Sequence, residues 1–85
     1  MTVLLAGGAG YIGSHTAIEM IEAGMEVVVV DNFYNSDPEA IRRVEEITGR
    51  KIALYEADVA DKEAMRRVFA EQSIDTVVHF AGMKA

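Results

Sequence analysis

The sequence predicts an α/β domain built around a parallel sheet of four strands. Short apolar runs alternate with segments of helical periodicity along the 85 residues, which is typical of strands joined by crossover helices. The run at residues 27–30 consists of valines without polar alternation, as in a central parallel strand covered on both faces. With 51% hydrophobic and 26% charged residues, the chain has the composition of one globular domain.

The first half of the pattern is a strand, a helix and a second strand. We predict the strands at residues 3–6 and 26–31 and the helix at about residues 11–23. Gly24 suits the position just after the last turn of this helix. The residues of the helix that are predicted to face inward are Ile12, Ala17, Met20 and Ile21.

The second half of the pattern begins with a helix that Ser36 or Asp37 can cap and that ends at Gly49. The remaining predicted elements are a third strand at about residues 51–56, a third helix from an Asp61 cap to near Gln72, and a fourth strand at residues 76–80. The inward residues predicted for the two helices are Ile41, Val44, Ile47, Met65, Val68 and Phe69.

A glycine-rich segment, residues 7–13, leaves the first strand and opens the first helix. Gly7 allows a sharp turn, Gly10 leaves space for a closely approaching pyrophosphate, and Gly13 allows the helix to pack against the strand. The free N–H groups at the start of a helix favour an anion. The segment therefore predicts a phosphate-binding loop, or else a tight turn without a ligand.

Asp31 ends the second predicted strand, 18 residues after Gly13 (31 − 13). Dinucleotide-binding folds place at this position a carboxylate that accepts hydrogen bonds from ribose hydroxyls. A carboxylate there repels a 2′-phosphate, which favours NAD over NADP. The strand, glycines, helix, strand and acid together predict dinucleotide binding, and the alternative for Asp31 is a solvated acid at a strand end.

Composition and charge argue against several classes of function. The net charge is −6 with scattered Lys and Arg residues, so we expect no nucleic-acid partner. The absence of cysteine excludes disulfides and thiol catalysis. No apolar run is long enough to span a bilayer and no signal-type segment is present, so we expect a cytoplasmic protein without membrane association. We expect no metal site, because His15 is predicted to be a surface or helix-packing residue and His79 a packed strand residue.

Five segments of the sequence form a recognisable set: the glycine-rich segment through His15, Asp31-Asn32, Asn35-Ser36, Asp58-Val59 and residues 79–85. Together they resemble the UDP-glucose 4-epimerase family. That family belongs to the extended short-chain dehydrogenase/reductase superfamily. The likeness covers nearly the entire chain at the family's spacing. It implies a Rossmann-like half domain over residues 1–85, with strand order 3-2-1-4 and NAD as the cofactor.

The resemblance also implies a set of cofactor-binding residues. The glycine loop would surround the pyrophosphate, the loop after the second strand would hold the adenosine, and the segment after the fourth strand would border the nicotinamide ribose. The complete set is Gly7, Gly10, Tyr11, Ile12, Gly13, Asp31, Asn32, Asn35, Ser36, Asp58, Val59, Phe80, Ala81, Gly82, Met83 and Lys84.

Several members of this set have an alternative structural role. The Tyr11 ring can cover the sheet edge, Asp58 can cap the turn before the third helix, and Lys84 can be a mobile residue near the end of the chain. The polar positions that can equally be turn formers or helix caps are Asn32, Asn35 and Ser36.

Catalytic residues cannot be matched to this chain. The family uses a tyrosine that is followed four residues later by a lysine. The three tyrosines of this chain do not fit that pattern, because the residue four positions later is His15 after Tyr11, Pro38 after Tyr34 and Val59 after Tyr55. We therefore assign no catalytic residue. Three hypotheses remain: an NAD-binding module, a part of an epimerase that acts on a UDP-sugar only when complete, and a truncated or engineered structural or oligomerising unit with little or no ligand binding.

The implied topology also predicts an exposed surface. Right-handed crossovers place the first two helices on one face of the sheet and only the third helix on the other. The fourth strand is left as an unpaired edge. We therefore expect a homo-oligomer that forms through this edge or through the face of the third helix.

Overall fold

The computed structural model of the chain describes residues 1–7, 11–33 and 38–80, without the side chains of Tyr11 and Ile12. Strands and helices alternate as predicted, with boundaries shifted by at most two residues. The strands are β1 (Thr2–Ala6), β2 (Glu26–Asp31), β3 (Ala53–Glu56) and β4 (Thr76–His79), and the helices are α1 (Tyr11–Glu22), α2 (Glu39–Thr48) and α3 (Lys62–Glu71).

The four described strands form one parallel sheet in the order β3-β2-β1-β4, which confirms the predicted topology. Leu4 of β1 pairs with Val28 of β2 on one side and with Val77 of β4 on the other. The two central strands carry the core, because the residues from 3 to 6 and from 27 to 30 are all nearly or fully buried. Burial on both faces explains why β2 lacks polar alternation.

The helices cover the two faces of the sheet unequally. Helices α1 and α2 pack on one face and form a first core cluster, whereas α3 packs on the opposite face and forms a smaller second cluster. The buried residues of the first cluster are Val3, Leu5, Ala17, Ile21, Val27, Val29, Ile41, Val44 and Ile52. Those of the second cluster are Leu4, Val28, Val30 and Val68. This division follows from the right-handed crossovers.

Two residues predicted to face inward do not. Ile47 of α2 is 64% exposed and Phe69 of α3 is 48% exposed, so both predictions were wrong. Phe69 directly follows the buried Val68, and consecutive helical residues cannot face the same surface. Ile47 lies at the margin of the stripe defined by Ile41 and Val44, beyond the width that contacts the sheet.

The helix ends show local signals that the sequence predicted. Gly24 and Gly49 follow α1 and α2 with φ values of 92° and 69°, the left-handed conformation that glycine adopts without strain. The Asp61 carboxylate caps α3 by accepting hydrogen bonds from two backbone N–H groups. The predicted caps of α2, Ser36 and Asp37, lie outside the described residues.

A side-chain contact links the end of α3 to β3. The Tyr55 hydroxyl donates to Glu71 Oε1 at 2.6 Å, and Gln72 Nε2 donates to the Tyr55 oxygen at 3.1 Å. The Gln72 hydrogen bond lowers the pKa of Tyr55, but the Glu71 hydrogen bond, burial and the Glu71 charge raise it above 10.0. The phenol therefore remains protonated and able to donate across the neutral pH range.

The unequal burial of the helix residues predicts unequal effects on stability. Val68→Ala should lower the free energy of unfolding by about 2 kcal/mol, because it removes buried methyl groups and leaves a cavity. Ile47→Ala removes more carbon atoms from an exposed position, yet should change stability by less than about 0.5 kcal/mol. Urea unfolding followed by circular dichroism measures both variants. Equal losses would contradict the role of Val68 as the buried anchor of α3.

Candidate functional site

The carboxyl ends of the four strands form a continuous edge. Each neighbouring pair of strand ends is joined just beyond the sheet by a backbone hydrogen bond, so the loops that leave the strands start in fixed positions. These hydrogen bonds are Gly7 N to Val30 O (2.6 Å), Ala57 N to Asp31 O (3.0 Å) and Phe80 N to Ala6 O (2.7 Å).

This edge is elongated and therefore suits an extended ligand. Neighbouring strands lie about 4.8 Å apart, so the distance from the end of β3 to the end of β4 is about 14 Å. From one end to the other, the edge presents Asp58, Asp31, Gly7 and Phe80. In open α/β sheets, ligands bind outside the carboxyl ends of the strands.

The centre of the edge is the glycine turn after β1. Gly7 has a φ of 80°, a left-handed conformation that confirms the sharp turn predicted there. Gly13 is buried in the first turns of α1, as expected for close packing of this helix on the sheet. The first turn of α1 carries no acidic residue, which leaves its positive end uncompensated. Gly10 and the side chains of Tyr11 and Ile12 lie outside the described part of the chain.

Asp31 is a buried charged residue at the end of β2. It is 8% exposed, and its Oδ1 accepts a hydrogen bond from the Phe33 N–H at 2.7 Å. The neighbouring Asn32 is exposed, whereas the predicted Asn35 and Ser36 lie outside the described residues. A carboxylate at this depth is costly unless it is hydrogen-bonded, so its location has to be stabilised by the turn that follows it.

Phe33 is a feature of the site that the sequence did not reveal. Among the described residues it is the only non-glycine residue with a positive φ, 59°. This conformation costs an aromatic residue roughly 1 kcal/mol or more. The Asp-Asn dipeptide before it signals a turn, but that signal does not say which residue adopts the left-handed conformation.

At the β3 end of the edge, Asp58 caps the turn before α3, which is one of the two roles that the sequence allowed. Its Oδ1 accepts a hydrogen bond from the Ala60 N–H at 2.8 Å, and its carbonyl accepts one from the Asp61 N–H at 2.9 Å. The side chain is exposed, and these contacts engage only one carboxylate oxygen. The same residue can therefore cap the turn and still offer Oδ2 to a ligand. Val59 is half-buried against the second core cluster.

At the β4 end, Phe80 is half-buried and packs against the first core cluster. This contact fixes the point at which the chain leaves the sheet. The other predicted members of this segment lie outside the described residues: Ala81, Gly82, Met83 and Lys84. His79, which was predicted to be packed, is exposed at the edge strand.

A cavity of about 310 Å³ lies at the opposite, amino edge of the sheet. Its lining includes Thr2, Glu26, Arg50 and Lys51, all of which lie at or just before the starts of strands. It is separate from the predicted site, because the predicted residues follow the carboxyl ends of the strands.

In the part of the chain that the structure describes, no helix is long and apolar enough to cross a membrane.

The parallel sheet, the glycine turn before α1 and the acid at the end of β2 define an α/β protein of the dinucleotide-binding class. Comparison with known proteins narrows this class. The chain belongs to the NAD dependent epimerase/dehydratase family, which it matches over residues 3–85.

The proteins that are similar to this chain include several UDP-glucose 4-epimerases. The chain is 56% identical over its full length to UDP-glucose 4-epimerase from Bacillus subtilis and covers 25% of that protein. The crystal structure of UDP-glucose 4-epimerase from Bifidobacterium longum in complex with NAD+ and UDP superimposes with a TM-score of 0.97, at 54% identity over 100% of this chain and 25% of that one.

A second solved structure extends the comparison. UDP-glucose-4-epimerase from Stenotrophomonas maltophila, with bound NAD and formylated UDP-arabinopyranose, matches with a TM-score of 0.94 and 44% identity, over 100% of this chain and 25% of that one. The chain therefore resembles the N-terminal NAD-binding part of these enzymes. It spans about a quarter of the length of the curated relatives that it matches.

Proposed function

We propose that the chain binds NAD along the carboxyl edge of its sheet, as the cofactor-binding part of a UDP-sugar 4-epimerase. The observation that supports this most strongly is the buried Asp31 carboxylate, which stands one strand away from the left-handed turn at Gly7. A buried acid beside a glycine turn at a helix start provides a ribose acceptor next to an anion-binding site.

The order of residues along the edge suggests how the cofactor lies. Gly7 and the start of α1 would face the pyrophosphate, and Asp31 would accept hydrogen bonds from the adenosine ribose. The free oxygen of Asp58 would accept from the adenine amino group, beside Val59. Phe80 begins the segment that would border the nicotinamide ribose. The roles of the other predicted members stay predictions: Gly10, Tyr11, Ile12, Asn32, Asn35, Ser36, Ala81, Gly82, Met83 and Lys84.

The activity of the whole protein is a further part of the proposal. NAD held along the carboxyl edge by Asp31 and the glycine turn would supply reversible hydride transfer at C4 of a UDP-hexose, the chemistry that would interconvert UDP-glucose and UDP-galactose. We propose that the protein acts in galactose metabolism and that it is cytoplasmic. The relatives at 56% and 54% identity support this reading.

Isothermal titration of the chain with NAD tests the binding site. Asp31→Ala should weaken binding by about tenfold, because a hydrogen bond to a charged acceptor is lost. Gly7→Ala should lower both stability and affinity. Gly49→Ala is the matched control, since it places the same methyl group on a left-handed residue with no atom within 4 Å, away from the carboxyl edge. It should lower stability alone.

Two results would count against the site. The first is unchanged NAD affinity in both Asp31→Ala and Gly7→Ala. The second is an equal loss of affinity in Gly7→Ala and Gly49→Ala, which would show that affinity follows stability and not the position of the turn. A wild-type chain without measurable affinity would favour the alternative, a structural unit that binds no ligand.

The chain by itself should show no conversion of UDP-galactose to UDP-glucose. A positioned proton-transfer group contributes about 10²–10⁴-fold to the rate, and no tyrosine of this chain is followed by a lysine four residues later. A coupled assay on purified chain supplied with NAD measures this. Turnover that persists in a preparation carrying Asp31→Ala would identify a contaminant, whereas turnover lost in that variant would contradict the prediction.

We also propose that the chain self-associates through the β4 edge or the α3 face. Val77 pairs with Leu4 and therefore lies on the side of the sheet that α3 covers. Val77 and Phe69 are each 48% exposed there. Among the described strands, β4 pairs only with β1, so its outer edge is free to pair with another strand. A second copy of the chain would cover the exposed Val77 and Phe69 side chains together with the outer edge of β4.

Sedimentation equilibrium at micromolar concentration tests this association. The wild-type chain should sediment as a dimer or larger assembly, and the double variant Phe69→Ser/Val77→Ser should shift toward monomer because it removes apolar contact area. Ile47→Ser is the control, since Ile47 is 64% exposed on the opposite face. A well-folded wild-type monomer would refute self-association, and a shift caused equally by Ile47→Ser would place the contact elsewhere.

A further inference from the structure

Phe33 stands out because it keeps an unfavourable backbone conformation next to the most buried acid of the site. Its φ is 59°, its N–H donates to Asp31 Oδ1 at 2.7 Å, and its side chain packs against the first core cluster. Among the described residues, every other positive φ belongs to a glycine. An aromatic residue is held in this conformation only when its surroundings compensate for the strain.

Two contacts provide that compensation, and they act on different parts of the residue. The hydrogen bond holds the backbone of Phe33, whereas the core contact holds its ring. The hydrogen bond is made to a buried carboxylate, which does not exchange it for water without cost. Burial of the ring adds an apolar contact on the same residue, so the ring helps to keep the turn in place.

The same hydrogen bond restrains the acid. A carboxyl group is planar and rigid, so when Oδ1 is held by the Phe33 N–H, the position of Oδ2 is set as well. The Asp31 backbone is fixed independently, because its carbonyl accepts a hydrogen bond from Ala57 at 3.0 Å. The ring of Phe33 thus supports one of the contacts that position the charge at the end of β2.

We infer that Phe33 is a positioning residue that sets the selectivity for NAD over its 2′-phosphorylated counterpart. The inference rests on the proposed function, in which Asp31 meets the adenosine ribose. Repulsion of a 2′-phosphate depends on the distance to the carboxylate, so a carboxylate that can rotate away discriminates less. If Phe33 had a merely structural role, its substitution would weaken the binding of both dinucleotides by the same factor.

Two variants separate the ring from the backbone conformation. Phe33→Gly removes the ring but accepts the left-handed φ without strain, whereas Phe33→Leu keeps an apolar side chain of similar reach. Titration calorimetry with NAD and, separately, with NADP gives the two dissociation constants for each variant. The selectivity ratio is the dissociation constant of NADP divided by that of NAD. Hydrogen exchange of the amide at position 33 reports the turn in the absence of any ligand, and the amide of the buried Val29 reports whether the core remains folded.

Phe33→Gly should lower the selectivity ratio by about tenfold, the loss expected when a charged contact is no longer held in place. It should also remove exchange protection at position 33 while leaving Val29 protected. Phe33→Leu should keep the ratio within about twofold of the wild-type value. Rescue by leucine distinguishes the apolar anchor from a general effect of substitution.

The inference is overturned if both affinities fall in parallel with an unchanged ratio, or if position 33 stays protected in Phe33→Gly. A wild-type chain that binds neither dinucleotide overturns the proposed function and the selectivity role together. In that case the exchange measurement still decides whether the ring anchors the turn, so the two failures are distinguishable.

Discussion

The parallel pairing of β1 with β2 is the interaction on which the rest of the structure depends. Both strands are buried on both faces, and their residues pair in register from Thr2 with Glu26 to Ala6 with Val30. Parallel strands cannot be joined by a hairpin, so each connection is a crossover, which in this chain contains an α-helix. The handedness of these crossovers then puts α1 and α2 on one face and α3 on the other.

The candidate site is a consequence of the same pairing. Parallel strands end at one edge, which brings Gly7, Asp31, Ala57 and Phe80 side by side although they lie far apart in the sequence. Backbone hydrogen bonds between neighbouring strand ends hold these positions. The candidate site therefore begins at main-chain positions that the sheet holds, and Asp31 adds a buried carboxylate to them.

The pairing also explains where apolar surface stays exposed. One helix has to cover the face that carries Leu4, Val28 and Val30, and α3 does so through Val68. Its next residue, Phe69, and the β4 residue Val77 remain about half exposed on that side. The second face of the sheet thus carries the smaller half of the core, and it includes the surface that we propose for self-association.

Several features could be predicted from the sequence: the fold class, the order of the elements, the glycine turn at Gly7 and the location of Asp31 at a strand end. These features are local or periodic: apolar runs, a glycine at positive φ and a helix cap at Asp61 depend on residues near one another in the chain. The relation to sugar-nucleotide epimerases could also be predicted from the sequence, because the motifs of that family are short and regularly spaced.

The depth of burial of each side chain and its contacts follow instead from how the folded elements pack together. Periodicity placed Ile47 and Phe69 inward, but one sheet surface has room for only part of each helix, and both residues are exposed. The left-handed conformation of Phe33 could not be predicted either, because the core cluster against which its side chain packs is assembled from α1, α2 and the sheet. Local sequence specifies which elements form, whereas non-local packing decides which residues fit between them.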